Sequence, residues 1–254
     1  MRFTPLQIRE AFHILFLQEF LHKFDPKLVV LKGGVNLRFF FQSPRYSEDM
    51  DLDVKIASVD SVRKNVLRTL QALSVPMKVY SVSQVLAPTM KSAKQTETTQ
   101  RYKVHLHTTS GLDLFTKVEF SRRGTAEGYK FGKVDEALLR SYRLAPVLVQ
   151  HYGAEAAYEQ KVRALAGRVA VQSRDVFDLY RLLPFLPASW EPSVDLATRS
   201  KAAQRALEIS FVEYREAVVA YLSENDQKIY GLEEVWREMQ GAVVKSLRGV
   251  GAHE

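Results

Sequence analysis

The sequence predicts an α+β fold in which a mixed α/β lobe is followed by an all-helical lobe. Two observations support this prediction. Up to about Pro146, short runs with the period-two pattern of strands alternate with helical patterns, and beyond it only helical patterns occur. We therefore expect a small mixed sheet flanked by helices at 1–145 and a helical lobe at 146–254. A chain of 254 residues is long enough for each lobe to bury a core.

The first lobe is predicted to begin with an amphipathic helix, because Thr4 can cap it and Pro5 suits the first helical position. The other predicted helices and turns of this lobe are a helix at Val35–Phe41, a turn at Gln42–Tyr46, a helix at about Asp60–Leu73 and an exposed hairpin loop at Lys91–Gln100. The predicted strands are Leu28–Leu31, Asp49–Ile56, Met77–Val85, Tyr102–Thr108 and Leu114–Phe120.

The second lobe is predicted to consist of long helices. Ser173 can cap one of them, and Pro184 ends it. The predicted helices are Ala154–Ala170, Arg174–Leu183, Ala197–Leu222 and Leu232–Leu247. We expect the tail after Arg248 to be frayed.

Composition excludes several classes of protein. The chain has no cysteine, which rules out a disulfide scaffold, a thiol nucleophile, a zinc finger and an iron–sulfur site. It has 36 Lys+Arg and 29 Asp+Glu, so its net charge is +7, which favours polyanionic partners. Neither a signal peptide nor an apolar run long enough to span a membrane is present, so we expect a cytoplasmic protein with no membrane partner.

The strongest chemical signal is an acidic strand. Alternation places Asp49, Asp51 and Asp53 on one face, with Met50 and Leu52 on the other. Carboxylates this close repel one another and raise each other's pKa, and strands disfavour aspartate. A divalent cation relieves the repulsion, and carboxylates are the ligands that Mg²⁺ prefers. The alternative is a solvated strand face.

Two other acidic sites fit this sequence poorly. An EF-hand loop requires glycine where Val54 stands, and Asp60 occupies the place of its final glutamate. A two-metal nuclease of the Glu-x-Lys type requires lysine two residues after Glu119, but Ser121 stands there and Lys117 precedes it.

A second signal is the Gly33-Gly34 pair, which follows Lys32 between a strand and a helix. Glycines in this position let backbone amides approach a phosphate, and the helix N-terminus favours an anion. The alternative is an ordinary tight turn. Because the acidic strand follows closely, the two segments together could hold a metal–triphosphate complex.

Two sequence blocks resemble a known family. Leu31–Arg38 (LKGGVNLR) followed by Arg45–Asp53 (RYSEDMDLD) is similar to the signature of the AbiEii/AbiGii-type nucleotidyltransferase toxins, which include the MenT-like toxins. These belong to the DNA polymerase β-like nucleotidyltransferase superfamily. Lys161–Leu165 with Arg168, then Arg174–Tyr180 (RDVFDLY), resembles the second block of that family. The family's Gly-Ser variant has serine where Gly34 stands in this chain. Many members of the family have Thr-Ala where this chain has Val35-Asn36.

The resemblance implies roles for individual residues. It implies that Asp49 and Asp51 bind two Mg²⁺ ions, with Mn²⁺ as an alternative. It implies that Glu119 is the third carboxylate, for which Asp113 is the competing candidate. Lys161 and Asp178 would act in catalysis, with Asp175 either beside them or near the helix start. The residues implied to bind the nucleotide are Lys32, Gly33, Gly34, Arg38, Ser47 and Arg174. Ser47 is equally suited to brace the turn before Asp49.

The resemblance also implies a function. The chain would be a metal-dependent nucleotidyltransferase toxin that moves NMP from an NTP to an acceptor, foremost the 3′ end of tRNA, with release of pyrophosphate. A cognate antitoxin encoded nearby would be its partner. Alternatives are transfer to a small molecule, as in antibiotic modification, or to a protein, a two-metal nuclease, and a non-catalytic binding module. The oligomeric state stays open.

A basic loop and a pair of histidines each allow two interpretations. A predicted basic loop, which contains Arg122-Arg123, Lys130 and Lys133, could contact RNA or simply be solvated. His105 and His107 alternate on a strand and could be metal ligands, but we interpret them as exposed strand residues.

Overall fold

A mixed sheet of seven strands organises the first part of the chain, as a computed structural model that describes residues 3–74, 77 and 85–249 shows. The strand order is β3-β4-β5-β2-β1-β7-β6. Strand pairs β2–β5 and β1–β7 are parallel, and the other pairs are antiparallel. The strands are β1 (Val29–Lys32), β2 (Asp49–Val54), β3 (Val85–Gln95), β4 (Thr99–Thr108), β5 (Asp113–Ser121), β6 (Tyr129–Lys133) and β7 (Leu148–Tyr152).

Helices precede, interrupt and follow these strands. The α-helices of the described chain are α1 (Pro5–Leu21), α2 (Gly33–Phe40), α3 (Val59–Ala72), α4 (Glu136–Ser141), α5 (Ala154–Gly167), α6 (Ser173–Leu182), α7 (Leu196–Leu207), α8 (Phe211–Ala217), α9 (Glu224–Tyr230) and α10 (Glu233–Arg248). No helix among the described residues is both long enough and apolar enough to cross a membrane.

The chain divides into two compact units. Unit 1 comprises Met1–Gln42 and Tyr46–Tyr152, and unit 2 comprises Ser43–Arg45 and Gly153–Glu254. All seven strands lie in unit 1, and the described elements of unit 2 are helices. The sequence-based division at 145/146 lies before β7, whereas β7 pairs with β1 and therefore belongs to unit 1.

Alternation along β2 separates the core from the site. Met50, Leu52 and Val54 are buried in the core of unit 1, together with apolar residues of α1 and α3. Asp49 and Asp51 alternate with them and are only partly buried. A one-residue shift would move the carboxylates into the core, so the pattern fixes the register of this strand.

Helix α1 is more buried than an amphipathic helix. Thr4 and Gln7 form the expected capping box, so the predicted start is confirmed. Every residue from Glu10 to Leu17 is buried, so the apolar stripe does not define a single buried face. The buried polar groups are satisfied: Glu10 pairs with Arg38, and His13 bonds Thr116. The prediction of a simple amphipathic helix was therefore wrong.

The predicted hairpin loop at Lys91–Gln100 is mostly strand. Strands β3 and β4 pair through this region, and the turn is closed by the Thr96 N–H, which donates to the Thr99 carbonyl at 2.8 Å. The sequence predicts a loop here because the β3 residues 91–95 are all exposed and show no apolar alternation. Of the predicted strand Met77–Val85, Met77 is helical, Val85 begins β3, and the positions between them lie outside the described residues.

Other predictions also differ from the structure. The segment Ala197–Leu222 is not one helix, because a capping box of Ser210 and Glu213 starts α8 after α7 has ended. Strands β6 and β7 and helices α4 and α9 were not predicted. Lys130 and Lys133 therefore lie on a strand, not in a basic loop.

Candidate active site

The parallel pairing of β2 with β5 brings the acidic residues together. Asp51 is in register with Glu119, and Asp49 with Lys117. Residues directly opposite on paired strands point to the same face of a sheet. Glu119 therefore shares the face of Asp49 and Asp51. Asp113 lies at the other end of β5, so Glu119 is the candidate that adjoins the acidic strand.

Asp49 is held from two sides. Its Oδ2 lies 2.6 Å from Lys117 Nζ, and its Oδ1 accepts a hydrogen bond of 3.1 Å from the Lys117 backbone N–H. The Ser47 hydroxyl donates to the Asp49 carbonyl at 2.9 Å. Ser47 thus braces the turn that leads into β2, which is one of the two roles considered for it.

Glu119 also has a cationic neighbour. Arg101 Nε on β4 donates to Glu119 Oε2 at 2.6 Å. Lys117 and Arg101 together reduce the repulsion that the three carboxylates would otherwise experience. Among the described residues, Asp49, Asp51 and Glu119 are not a group whose ligand oxygens all lie within 4.8 Å of one another. Their common face and their oxygen donors are what fit a divalent cation.

The start of α2 comes very close to Asp51. Gly33 has φ +70°, and a Cβ atom added there would lie 2.8 Å from Asp51 Oδ2. Only glycine meets both requirements, the left-handed backbone and the close approach. Lys32 is the N-cap residue of α2, and its side chain makes no capping hydrogen bond. Lys32 therefore does not cap this helix, which begins Gly33-Gly34 and whose N-terminus favours an anion.

Asp53 has a structural environment. Its side chain is 6% exposed, accepts a hydrogen bond from Lys32 Nζ at 2.5 Å, and accepts another from the Tyr152 hydroxyl at 2.7 Å. Burial, together with the hydrogen bond to Asp53, raises the pKa of Tyr152 above its usual range. Asp53 therefore anchors Lys32 at the end of β1. This structural role differs from the metal-binding role predicted for Asp49 and Asp51.

A hydrogen-bonded chain supports the residue before Asp49. The Thr116 hydroxyl donates to the Glu48 carbonyl at 2.6 Å, and His13 Nε2 lies 2.8 Å from the same hydroxyl oxygen. Since the hydroxyl hydrogen is used on Glu48, the Thr116 oxygen accepts and His13 donates from Nε2. Burial and the charge of Arg9 lower the pKa of His13 to about 3, so the ring is neutral near pH 7.

Arg38 is engaged inside the fold. Its Nε donates to Glu10 Oε1 at 2.6 Å, its guanidinium lies 4.4 Å from the ring centre of Tyr46, and Tyr142 donates to Glu10 at 2.7 Å. Burial alone lowers the pKa of Arg38, but the Glu10 carboxylate outweighs it and raises that pKa. Arg38 thus joins α2 to α1, and binding to phosphate would compete with Glu10.

A basic cavity adjoins Asp49. Its volume is about 400 Å³. The residues that line it, all in unit 1, are Glu48, Asp49, Lys91, Lys103, Phe115, Thr116 and Lys117. An anionic ligand that approaches Asp49 would therefore meet three lysines on β3, β4 and β5.

The second family-like block forms a buried ionic cluster in unit 2. Lys161 Nζ lies 2.6 Å from Asp178 and 3.0 Å from Asp175. Arg45 pairs with Asp178 at 3.1 Å, and Arg168 with Asp175 at 2.7 Å. Neither aspartate is exposed. Asp175 thus serves this cluster and does not cap α6.

The charges in this cluster stabilise one another. Burial alone would lower the pKa of Lys161, but Asp178 and Asp175 outweigh burial and raise it. Burial alone would raise the pKa of Asp178, but Arg45 and Lys161 lower it. Both groups are therefore charged at neutral pH. Arg174 is half-buried at the second position of α6.

The structure thus places the predicted site residues in two groups. Lys32, Gly33, Asp49, Asp51 and Glu119 gather around β1, β2 and β5, and Lys161 with Asp178 belongs to the cluster of unit 2. No functional role was predicted for Arg45, Arg101, Lys117 or Tyr152. Arg45 lies in the Arg-Tyr-Ser part of the first family-like block, so its sequence position could have indicated a role. The contacts of Arg101, Lys117 and Tyr152 depend on strand pairing, which a single sequence does not show.

Comparisons with known proteins show the family through a family model and the fold through solved structures. The family model described as AbiEii, "Nucleotidyl transferase AbiEii toxin, Type IV TA system", matches residues 15–245. No curated protein matches.

Among solved structures, JHP933 from Helicobacter pylori has a TM-score of 0.60 at 17% identity, with 98% of this chain and 94% of that chain covered. A second H. pylori structure has a TM-score of 0.58 at 18% identity and covers 100% of both chains. MenT4, a nucleotidyltransferase toxin from Mycobacterium tuberculosis H37Rv, has a TM-score of 0.55 at 18% identity, with 97% of this chain and 84% of that chain covered. Similarity at these identities shows the fold.

Proposed function

Because the chain belongs to the AbiEii family of nucleotidyltransferase toxins of type IV toxin–antitoxin systems, we propose that it transfers a nucleoside monophosphate from an NTP to the 3′ end of a tRNA. The acceptor hydroxyl oxygen attacks the α-phosphorus and loses its proton. A bond forms between these two atoms, the bond from the α-phosphorus to the β-bridging oxygen breaks, and pyrophosphate leaves. We place the reaction in the cytoplasm, with a nearby-encoded antitoxin as partner.

The arrangement of Asp49, Asp51 and Glu119 supports a metal requirement. Three carboxylates on one face of paired strands supply the hard oxygen donors that Mg²⁺ or Mn²⁺ binds. When bound, a divalent cation would neutralise phosphate charge and lower the pKa of the attacking hydroxyl. The side chains of Lys117 and Arg101 balance these carboxylates, and both are about 40% exposed, so they can move aside.

The N-terminus of α2 is the proposed site for the triphosphate. The Lys32 side chain does not cap this helix, and Gly33 brings the backbone to Asp51 without a Cβ in the way. The close approach of Gly33 to Asp51 is the observation that carries this proposal, because it places an anion-binding helix end beside the acidic strand. Lys32, held by Asp53, would contribute its charge.

Lys161 and Asp178 are proposed to take part in the same reaction. Lys161 is a charged ammonium group whose side chain is 12% exposed, and it is kept in place by two fully buried carboxylates. Such a group is preorganised to interact with a phosphate oxygen. Arg174 is proposed as a further phosphate-binding residue.

The basic cavity beside Asp49 supports a polyanionic acceptor. Lys91, Lys103 and Lys117 line it, and the whole chain carries a net charge of +7. A small-molecule or protein acceptor would use the same carboxylates but would not need these lysines.

The test uses purified protein, each α-³²P-labelled NTP, Mg²⁺ and total cellular RNA. Label is expected in the tRNA band and is expected to be lost with EDTA and with Asp51→Asn. Asp60→Asn, an exposed aspartate on α3, is the matched control and should retain transfer. Transfer that persists in Asp51→Asn would contradict the proposed site.

The same experiment separates the alternative functions. Labelled protein or a labelled small molecule in place of RNA would reassign the acceptor. Shortened RNA without label would favour a nuclease. Absence of transfer to any acceptor with all four NTPs would overturn the proposed reaction.

A further inference from the structure

We propose that His105, His107 and Asp113 form a second metal site, which binds a divalent transition ion of the zinc class. The three residues lie at the end of the β4–β5 hairpin, and one ligand atom from each lies within 4.8 Å of the others. Nothing in the nucleotidyltransferase reaction uses them. The site therefore goes beyond the proposed function and does not depend on it.

Strand geometry brings these residues together. His105 and His107 are two residues apart on β4 and share a face, and Asp113 pairs with His107 across the hairpin. Asp113 Oδ1 lies 3.0 Å from His105 Nε2 and 3.4 Å from His107 Nδ1. Ligand atoms around a tetrahedral zinc ion are about 3.4 Å apart when the bonds are about 2.1 Å. The observed spacing thus suits one small ion.

His105 supplies an independent indication. The residue is 8% exposed, and its Nε2 makes no well-aligned hydrogen bond among the described residues although Asp113 Oδ1 lies 3.0 Å away. A buried ring nitrogen that faces a carboxylate without a well-aligned hydrogen bond is incompletely satisfied, and a metal ion bound to both groups would satisfy them. The ring is fixed because it stacks on Phe115 with 4.4 Å between centroids. The expectation of two exposed strand histidines was therefore wrong for His105.

The other nitrogen of His107 is also engaged. Its Nε2 lies 3.2 Å from the Thr89 hydroxyl on β3, while Nδ1 faces Asp113. A hydrogen bond to the second nitrogen is the usual way in which a protein orients a metal-binding imidazole. Three strands thus contribute: β4 and β5 provide the ligands, and β3 provides the support.

The donor set indicates the class of metal. Two imidazole nitrogens and one carboxylate oxygen suit Zn²⁺, Co²⁺ or Ni²⁺, whereas Mg²⁺ prefers oxygen donors alone. Asp113 is exposed, so water can complete the coordination. Glu119 lies six residues further along β5, or about 20 Å at about 3.3 Å per residue, so the two metal sites are separate.

The experiment titrates the full-length chain, purified without a histidine tag, with Zn²⁺ by calorimetry and with Co²⁺ by visible absorption. The Asp51→Asn background removes a carboxylate from the other site. We expect one ion per chain, cobalt absorption bands in the visible range, and a higher Tm with Zn²⁺.

Two surface variants keep the proposal falsifiable if His105 variants fail to fold. His107→Gln and Asp113→Asn change side chains that are 42% and 54% exposed, and each should weaken Zn²⁺ binding at least tenfold and remove the rise in Tm. His22→Gln, an exposed histidine after α1, is the control and should bind normally. Absence of a cobalt spectrum, or equal Zn²⁺ affinity in His107→Gln and the parent, would overturn the proposal.

Discussion

Gly33 has two separate reasons to be glycine, and they can be tested apart. Gly33→Ala combines a left-handed backbone, at φ +70°, with a Cβ 2.8 Å from Asp51 Oδ2. Gly111→Ala has similar strain, at φ +77°, but nothing lies within 4 Å of its Cβ. Both should lose about 1–2 kcal/mol of stability by urea unfolding, but only Gly33→Ala should lose transfer activity, by at least tenfold. Equal activity in the two variants would separate Gly33 from the site.

Asp178 should make stability depend on acid pH. Arg45 and Lys161 lower its pKa in the fold, so its contribution is complete above about pH 5 and is lost as the pH falls through about 4 toward the folded pKa. Asp178→Asn leaves buried cations without that carboxylate and should cost about 3–5 kcal/mol at pH 7. Urea unfolding between pH 3 and 7 should show a shallower decline for the variant. Parallel curves would contradict the assignment.

At the scale of residues, the sequence predicted what depends on local spacing. Alternation along β2 predicted that Asp49 and Asp51 share a face, and the Gly-Gly pair was predicted to precede a helix that starts at Val35, whereas α2 begins at Gly33 itself. Lys117 escaped notice as a partner of Asp49 because the two are 68 positions apart and meet through parallel pairing. Tyr152 bonds Asp53 across 99 positions for the same reason. Contacts that strand pairing creates are not visible in a single sequence.

Helix α1 contains a titrating group that should affect stability at mild pH. The pKa of His13 is about 3 in the fold and near 6.5 in the unfolded chain. As the pH falls from about 6.5 toward 3, the unfolded state takes up a proton that the folded state does not, so stability falls by up to about 1.4 kcal/mol per pH unit. His13→Gln keeps a donor toward Thr116 but removes the titration.

The measurement for His13 is the free energy of unfolding in urea at pH 7, 6, 5 and 4. The decline should be shallower in His13→Gln than in the parent, and His22→Gln, an exposed histidine, should follow the parent. The pKa of His151, lowered by burial to about 4, will leave a residual slope in each variant. A variant slope as steep as that of the parent would contradict a neutral, buried His13.

At the scale of elements, strands and helices were predicted well where a pattern of buried apolar residues agreed with the local capping and turn residues. Strand β2 was predicted because its apolar residues alternate with aspartates, but it ends at Val54, and Ile56, which was predicted to continue the strand, is exposed. The exposed end of β3 at residues 91–95 was predicted as part of a loop because its residues show no apolar alternation, whereas β4 from Tyr102 onward alternates and was predicted as a strand. The capping box at Ser210 separates α8 from α7. The sequence predicted one helix across this segment because its apolar residues keep a helical period, and the capping signal at Ser210 was overlooked.

At the scale of the molecule, the positive charge should act on the acceptor. Lys91→Gln with Lys103→Gln removes two of the lysines that line the cavity beside Asp49. We expect a higher KM for tRNA, little change in kcat, and a salt dependence of log KM that is shallower by about one to two units of slope. Lys64→Gln with Lys201→Gln, both exposed elsewhere, is the charge-matched control. Identical salt slopes would show that the cavity does not contact RNA.

The fold class was predictable in its coarse form, as a mixed α/β protein. The sequence predicted a mixed α/β region followed by helices; the structure has a seven-stranded mixed sheet, with the described strands before Gly153 and helices after it. The sheet was predicted to end before β7, because the segment around β7 lacks strand-like alternation. Strand β7 joins the sheet through parallel pairing with β1. Such a contact depends on residues more than a hundred positions apart.

The segment Ser43–Arg45 has a consequence for how the gene could be divided. These residues lie between α2 and β2 in the chain but belong to unit 2, where Arg45 neutralises the buried Asp178. A gene cut after Tyr152 would separate a cation from its carboxylate across 133 positions. The fragment 153–254 would then fold poorly alone, because the buried Asp178 would lack the Arg45 guanidinium. Co-expression with the fragment 1–152 would restore that guanidinium. The two fragments are therefore suited to fragment complementation and not to independent transfer between proteins.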